Sequence, residues 1–116
     1  MGTFIEVGKA SEFKDGDMKK VLARGREVLI ARVGDNYYAA DNRCPHIGGN
    51  LSQGRLKGTI VTCPWHGSQF DLTDGRVVRW TDWPKLIATL GKILKSPKSL
   101  NIYTVRVEGD NILVEI

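Results

Sequence analysis

Apolar and polar residues alternate from Thr3 to Val7 and again in parts of Met18 to Leu22. This two-residue period puts one face of a strand into a core and the other into water. The turn-forming run Lys14-Asp15-Gly16-Asp17 separates the two segments. Arg26 to Val33 is a more strongly apolar strand, and Gly34-Asp35-Asn36 turns it back into Tyr37-Tyr38-Ala39-Ala40 as a hairpin. The β-branched run Thr59 to Thr62 predicts another strand, as does Ser68 to Leu72. Thr73-Asp74-Gly75 then reverses the chain into an antiparallel strand from Arg76 to Trp80. Tyr103 to Val107 and Ile112 to Ile116 flank Glu108-Gly109-Asp110-Asn111 and form a final hairpin.

One stretch breaks this pattern. Leu86, Ile87, Leu90, Ile93 and Leu94 recur at helical spacing, with Pro84 before them and Ser96-Pro97 after, which predicts an amphipathic helix over about 85–95. It either packs on the β core or binds a partner. Nine or ten short strands with one helix, and no internal repeat, predict an all-β fold: an antiparallel β-sandwich or partly open barrel.

At 116 residues the chain is expected to be a single domain. The net charge of +4 raises the question of nucleic acid, but the cations are scattered and seldom interleaved with aromatics, so no nucleic-acid partner is expected. Scattered charge of this kind reads first as a solvated surface, and it can also bias the choice of partner towards one with an acidic docking face. No run of eighteen apolar residues exists, and the first residues lack a signal-peptide pattern. A cytoplasmic protein without a membrane partner is the expectation.

The chemistry is concentrated in one short stretch. Both cysteines and both histidines lie within residues 44 to 66, as Cys44-Pro45-His46 and, after sixteen intervening residues, Cys63-Pro64-Trp65-His66. Four such donors on two short loops predict a metal site. Structural zinc is one candidate, but zinc sites of this composition usually pair Cys with Cys and His with His. Here each pair is mixed. That suits a 2Fe-2S centre in which two Cys hold one iron and two His the other, each loop giving one ligand to each metal.

The C-x-H and C-x-x-H motifs of Cys44, His46, Cys63 and His66, continued by Gly67-Ser68-Gln69-Phe70-Asp71 and Gly75, closely resemble the Rieske family. The resemblance implies a one-electron carrier with one Rieske 2Fe-2S cluster, not an enzyme. It implies a cluster-binding subdomain at about 41–82 on a base formed by 1–40 and 83–116. It also implies a flavin-dependent, NAD(P)H-linked ferredoxin reductase as donor and a terminal oxygenase or other acceptor, docking near His46 and His66. A small or regulatory subunit of a larger oxidoreductase is the alternative. No His or Cys is left over for the mononuclear iron of an oxygenase large subunit.

Around the ligands the resemblance assigns supporting roles. Gly48 and Gly49 let the backbone approach the cluster and donate amides, or serve only as turn residues. Trp65 either shields the centre from water or simply packs, and Trp80 and Trp83 belong to the core or its rim. High-potential members tie their ligand loops together with a disulfide at the positions of Gly49 and Trp65, so that bridge is absent here. Ser68 keeps a hydroxyl that donates towards cluster sulfur, whereas Phe70 replaces a Tyr donor. The expected potential therefore lies in the lower part of a family range of roughly −150 to +300 mV. Short members have a proline loop where this chain has its predicted helix, and Pro84 and Pro97 are the residues that could serve that purpose.

Overall fold

The computed structural model describes residues 2–45, 49–65, 67–79 and 98–116. The predicted helix at 85–95, together with Trp80, Trp83, Pro84 and Pro97, lies outside them. Among the described residues the chain forms β1 (Phe4–Lys9), β2 (Met18–Ala23), β3 (Arg26–Val33), β4 (Asn36–Asp41), β5 (Arg55–Lys57) and β6 (Ile60–Thr62). β7 (Gln69–Asp71), β8 (Val77–Arg79), β9 (Ile102–Tyr103), β10 (Val105–Glu108) and β11 (Asn111–Glu115) follow. All strand pairings are antiparallel and fall into three sheets, ordered β1-β11-β10, β2-β3-β4-β9 and β5-β6-β7-β8.

β3 is the hinge of this arrangement. Its run Val28-Leu29-Ile30-Ala31 is fully buried, as expected of a strand covered on both faces rather than one. Because successive side chains point to opposite faces, Val28 and Ile30 enter one core with Phe13, Ile112 and Val114. Leu29 and Ala31 enter the other, with Leu51, Val61, Phe70 and Leu72. The first core joins the middle sheet to the sheet made from both ends of the described chain. The second joins it to the β5–β8 sheet.

Tight turns fix the registers. Ala23 pairs with Arg26, so Arg24 and Gly25 make the whole turn, and both adopt positive φ, 51° and 77°. That is the twist a two-residue hairpin requires. The eleven described strands exceed the nine or ten predicted from the sequence. β5 is one that the hydrophobic pattern did not reveal, because its three residues carry a single apolar side chain, Leu56, and have no alternation to read.

Candidate metal centre

Two hairpin tips of equal length carry the predicted ligands. One is closed by the isolated bridge between Arg43 and Asn50, the other by the Thr62–Gln69 pair of β6 and β7. The six enclosed residues read Cys-Pro-His-Ile-Gly-Gly in the first tip and Cys-Pro-Trp-His-Gly-Ser in the second. Both tips close in the same way. The Cys44 amide donates to the Gly49 carbonyl at 2.8 Å, and the Cys63 amide donates to the Ser68 carbonyl at 2.8 Å.

Cys44 and Cys63 are each 2% exposed and belong to the same core as Leu51 and Phe70. Two thiols brought to the inner side of two loops suit soft-metal ligation, which needs thiolates shielded from water. The tips also touch each other. A Cβ on Gly49 would lie 3.0 Å from Cys63 Sγ and 3.3 Å from Trp65 Cγ, so a side chain there would press on the second tip. Gly49 thus brings bare main chain against the second tip. Gly48, His46 and His66 lie outside the described residues.

Trp65 is 63% exposed. One edge of its indole borders Gly49 while most of the ring faces solvent. Ser68 and Phe70 are fully buried. A groove of about 490 Å³ runs beside the second tip, lined in part by Cys63, Trp65, Gly67, Arg55 and Arg79.

The bases of the two tips are braced by residues to which the sequence assigned no role. Asn42, fully buried beside the first, donates through Nδ2 to Asn50 Oδ1 at 3.1 Å and to Glu27 Oε1 at 3.3 Å. Its Oδ1 accepts from the Ser52 amide at 2.9 Å. Arg43 adds an ion pair to Glu27 at 3.0 Å. Hydrogen bonding to Arg43 and then to Asn42 holds the Glu27 carboxyl below its usual range. The position of Asn42 directly before Arg43-Cys44 was the available signal, although a lone Asn more often marks a turn.

At the second base, Gln69 Nε2 donates to Thr62 Oγ1 at 3.2 Å. Asp71, at the end of β7, accepts from the Thr73 amide at 3.0 Å and from its hydroxyl, and pairs with Arg76 at 3.2 Å. The Thr73 amide and then its hydroxyl pull the Asp71 carboxyl below the ordinary Asp value. Arg79 donates from both Nε and Nη2 to the Gly67 carbonyl, at 3.1 and 3.0 Å.

An all-β domain in which two matched hairpin tips bring buried cysteines together, with a mixed Cys/His motif on each, defines a small iron-sulfur protein of the Rieske class. The comparison with known proteins agrees: the Rieske [2Fe-2S] domain family matches residues 3–109, and the chain belongs to it. It is 30% identical over 115 residues to the ferredoxin component of the naphthalene 1,2-dioxygenase system of Pseudomonas aeruginosa, covering 97% of this chain and 95% of that one. Among solved structures it resembles the ferredoxin of carbazole 1,9a-dioxygenase from Nocardioides aromaticivorans IC177, with a TM-score of 0.79 and 27% identity over 97% of this chain and 96% of that one. A chain in the complex of reduced oxygenase and oxidized ferredoxin in carbazole 1,9a-dioxygenase is similar at a TM-score of 0.77 and 27% identity, covering 97% of this chain and 92% of that one. The protein is thus an electron carrier with a Rieske 2Fe-2S cluster, like these ferredoxins, and not itself a catalyst.

Proposed function

We propose that Cys44 and Cys63 hold one iron of the cluster and His46 and His66 the other, and that the chain carries single electrons from an NAD(P)H-dependent flavoprotein reductase to a terminal oxygenase. The observation that carries this reading is the convergence of the two tips, with both cysteines buried in one core and Cys63 Sγ beneath Gly49. The donor set fits the cluster: two buried sulfurs for one iron, and two imidazoles from the same two motifs for the other. When bound, the cluster supplies a one-electron couple whose reducible iron is the one held by neutral imidazoles.

The chain's own residues do the rest. Cys44 and Cys63 are kept from water by Leu51, Phe70 and Leu72, which lie in their core and limit the solvent reorganisation that accompanies a change of charge. Gly49 brings main chain rather than a side chain against Cys63. Ser68, fully buried in the second tip, carries the hydroxyl proposed to donate towards cluster sulfur, and Phe70 carries none. That combination supports a potential in the lower part of the Rieske range. The ferredoxin and oxygenase components of the carbazole system form a complex, which supports an oxygenase as the acceptor here. Residues around His46 and His66 are the proposed docking site. Among the described residues no helix is long and apolar enough to cross a membrane.

Reconstitution tests this reading. NADH, the reductase and oxygenase components of the naphthalene 1,2-dioxygenase system, and this chain in place of that system's own ferredoxin are expected to support naphthalene oxidation. Omission of the chain, or the variant His66→Ala, is expected to abolish it. Equal turnover without the chain would contradict an electron-carrying role.

A further inference from the structure

Among the described residues β8 ends its sheet, and it is not a regular strand. Gln69 pairs with Arg79 and Phe70 with Val77, so Val78 is an extra residue opposite a single step of β7. Such a bulge turns the side chain that follows it away from the strand's ordinary alternation. Here that side chain is Arg79, and it reaches back to the second tip. Both Nε and Nη2 converge on one acceptor, the carbonyl of Gly67, at 3.1 and 3.0 Å.

Gly67 is an unusual point to hold. It follows His66 in the chain, its φ is 72°, and its amide donates to the Cys63 carbonyl at 3.2 Å. The backbone at 67 is therefore fixed from two sides: by Cys63 through its amide and by Arg79 through its carbonyl. A charged donor strengthens such a bond relative to a neutral one. Arg79 and Cys63 also line the same groove, so a side chain that stays charged at all relevant pH values shares that groove with a cysteine of the centre.

We propose that Arg79 is a positioning residue for the redox centre: its guanidinium grips the Gly67 carbonyl, fixes the second tip next to His66, and favours the reduced state by its charge. The inference rests on the ligand assignment proposed above. Reduction adds an electron without adding a compensating cation, so a fixed cation nearby stabilises the product more than the reactant. The two-toothed grip adds a geometric role that charge alone does not provide. Lys can replace the charge, but it is a point donor without the planar fork.

The test compares holo-protein variants Arg79→Gln, Arg79→Lys and Arg55→Gln. Arg55 lines the same groove and is exposed. Midpoint potential and the low-temperature electron paramagnetic resonance line shape of the reduced cluster are the readouts. Arg79→Gln is expected to lower the potential and broaden the lines as the tip takes several conformations. Arg79→Lys is expected to recover most of the potential but not the narrow lines, and Arg55→Gln to leave the line shape unchanged. If Arg79→Gln loads no cluster, Arg79→Lys decides: broadened lines at a near-wild-type potential uphold the positioning role, and narrow wild-type lines overturn it. Wild-type potential and line shape in Arg79→Gln would overturn the inference, as would Arg55→Gln reproducing both of its effects. A wild-type protein with no reversible one-electron couple would instead overturn the ligand assignment beneath it.

Discussion

The two hairpin tips are matched in length, in their Cys-Pro openings and in the amide-to-carbonyl bond that closes each, but each has one brace that the other lacks. Beneath the first tip lies a buried and largely uncharged hub, Asn42, whose side chain ties β3, Asn50 and Ser52 together. Beside the second, the brace is an exposed cation on a bulged strand. Buried polar hubs are costly to disturb, because a lost partner leaves groups unsatisfied away from water. Exposed charged contacts contribute little to stability, yet they act on any charge that appears near them. The difference teaches that the Asn42 brace serves chiefly stability, whereas the Arg79 brace can also act on charge.

The largest effect should come from breaking the hub. Asn42→Ala removes the acceptor for the Ser52 amide and the donor to Asn50 and Glu27, at a cost of roughly 2–3 kcal/mol. Urea unfolding is expected to show this loss almost unchanged between low and high salt. A strongly salt-dependent loss, or none, would remove the contrast between the bases.

A smaller effect should follow from disturbing the contact between the tips. In Gly49→Ala the new methyl would sit 3.0 Å from Cys63 Sγ, closer than ordinary packing allows. The second tip must yield, at about 1 kcal/mol of stability. Iron retained per chain after dialysis against a chelator is expected to fall further than stability does. Full retention would show that the tips are not mutually fitted.

The smallest effect concerns Asp71, behind the second tip. Its carboxyl is held below the ordinary Asp value of about 3.9. The folded state therefore keeps Asp71 ionised at a pH where the unfolded chain has begun to protonate it. The resulting stabilisation is complete above the unfolded pKa and disappears as pH falls through the lower folded value. Asp71→Asn should thus lower the melting temperature near neutrality by a few degrees and reduce the acid sensitivity below pH 4. Parallel melting curves for wild type and variant across that range would contradict this.

The sequence made some of this arrangement readable and hid the rest, for physical reasons. Alternation and turn residues disclosed the long hairpins of β2, β3 and β4 and the closing pair β10 and β11, since each spans enough residues to show a period. The mixed Cys/His motif disclosed the centre because few chemistries use that donor set. β5 stayed hidden in three residues. The braces stayed hidden for a different reason. Asn42 and Arg79 act through contacts made by folding, and neither a lone Asn nor an Arg after two valines differs locally from ordinary surface sequence. The exposure of Trp65 was equally hidden, because it depends on how the tips meet.

The identity of the centre itself is tested most directly by metal and sulfide analysis of protein purified without oxygen, together with its visible spectrum. Mixed ligation by Cys44, His46, Cys63 and His66 predicts two irons and two acid-labile sulfides per chain and a red-brown protein that bleaches on reduction. One zinc per chain, with no sulfide and no colour, would contradict the account at its root.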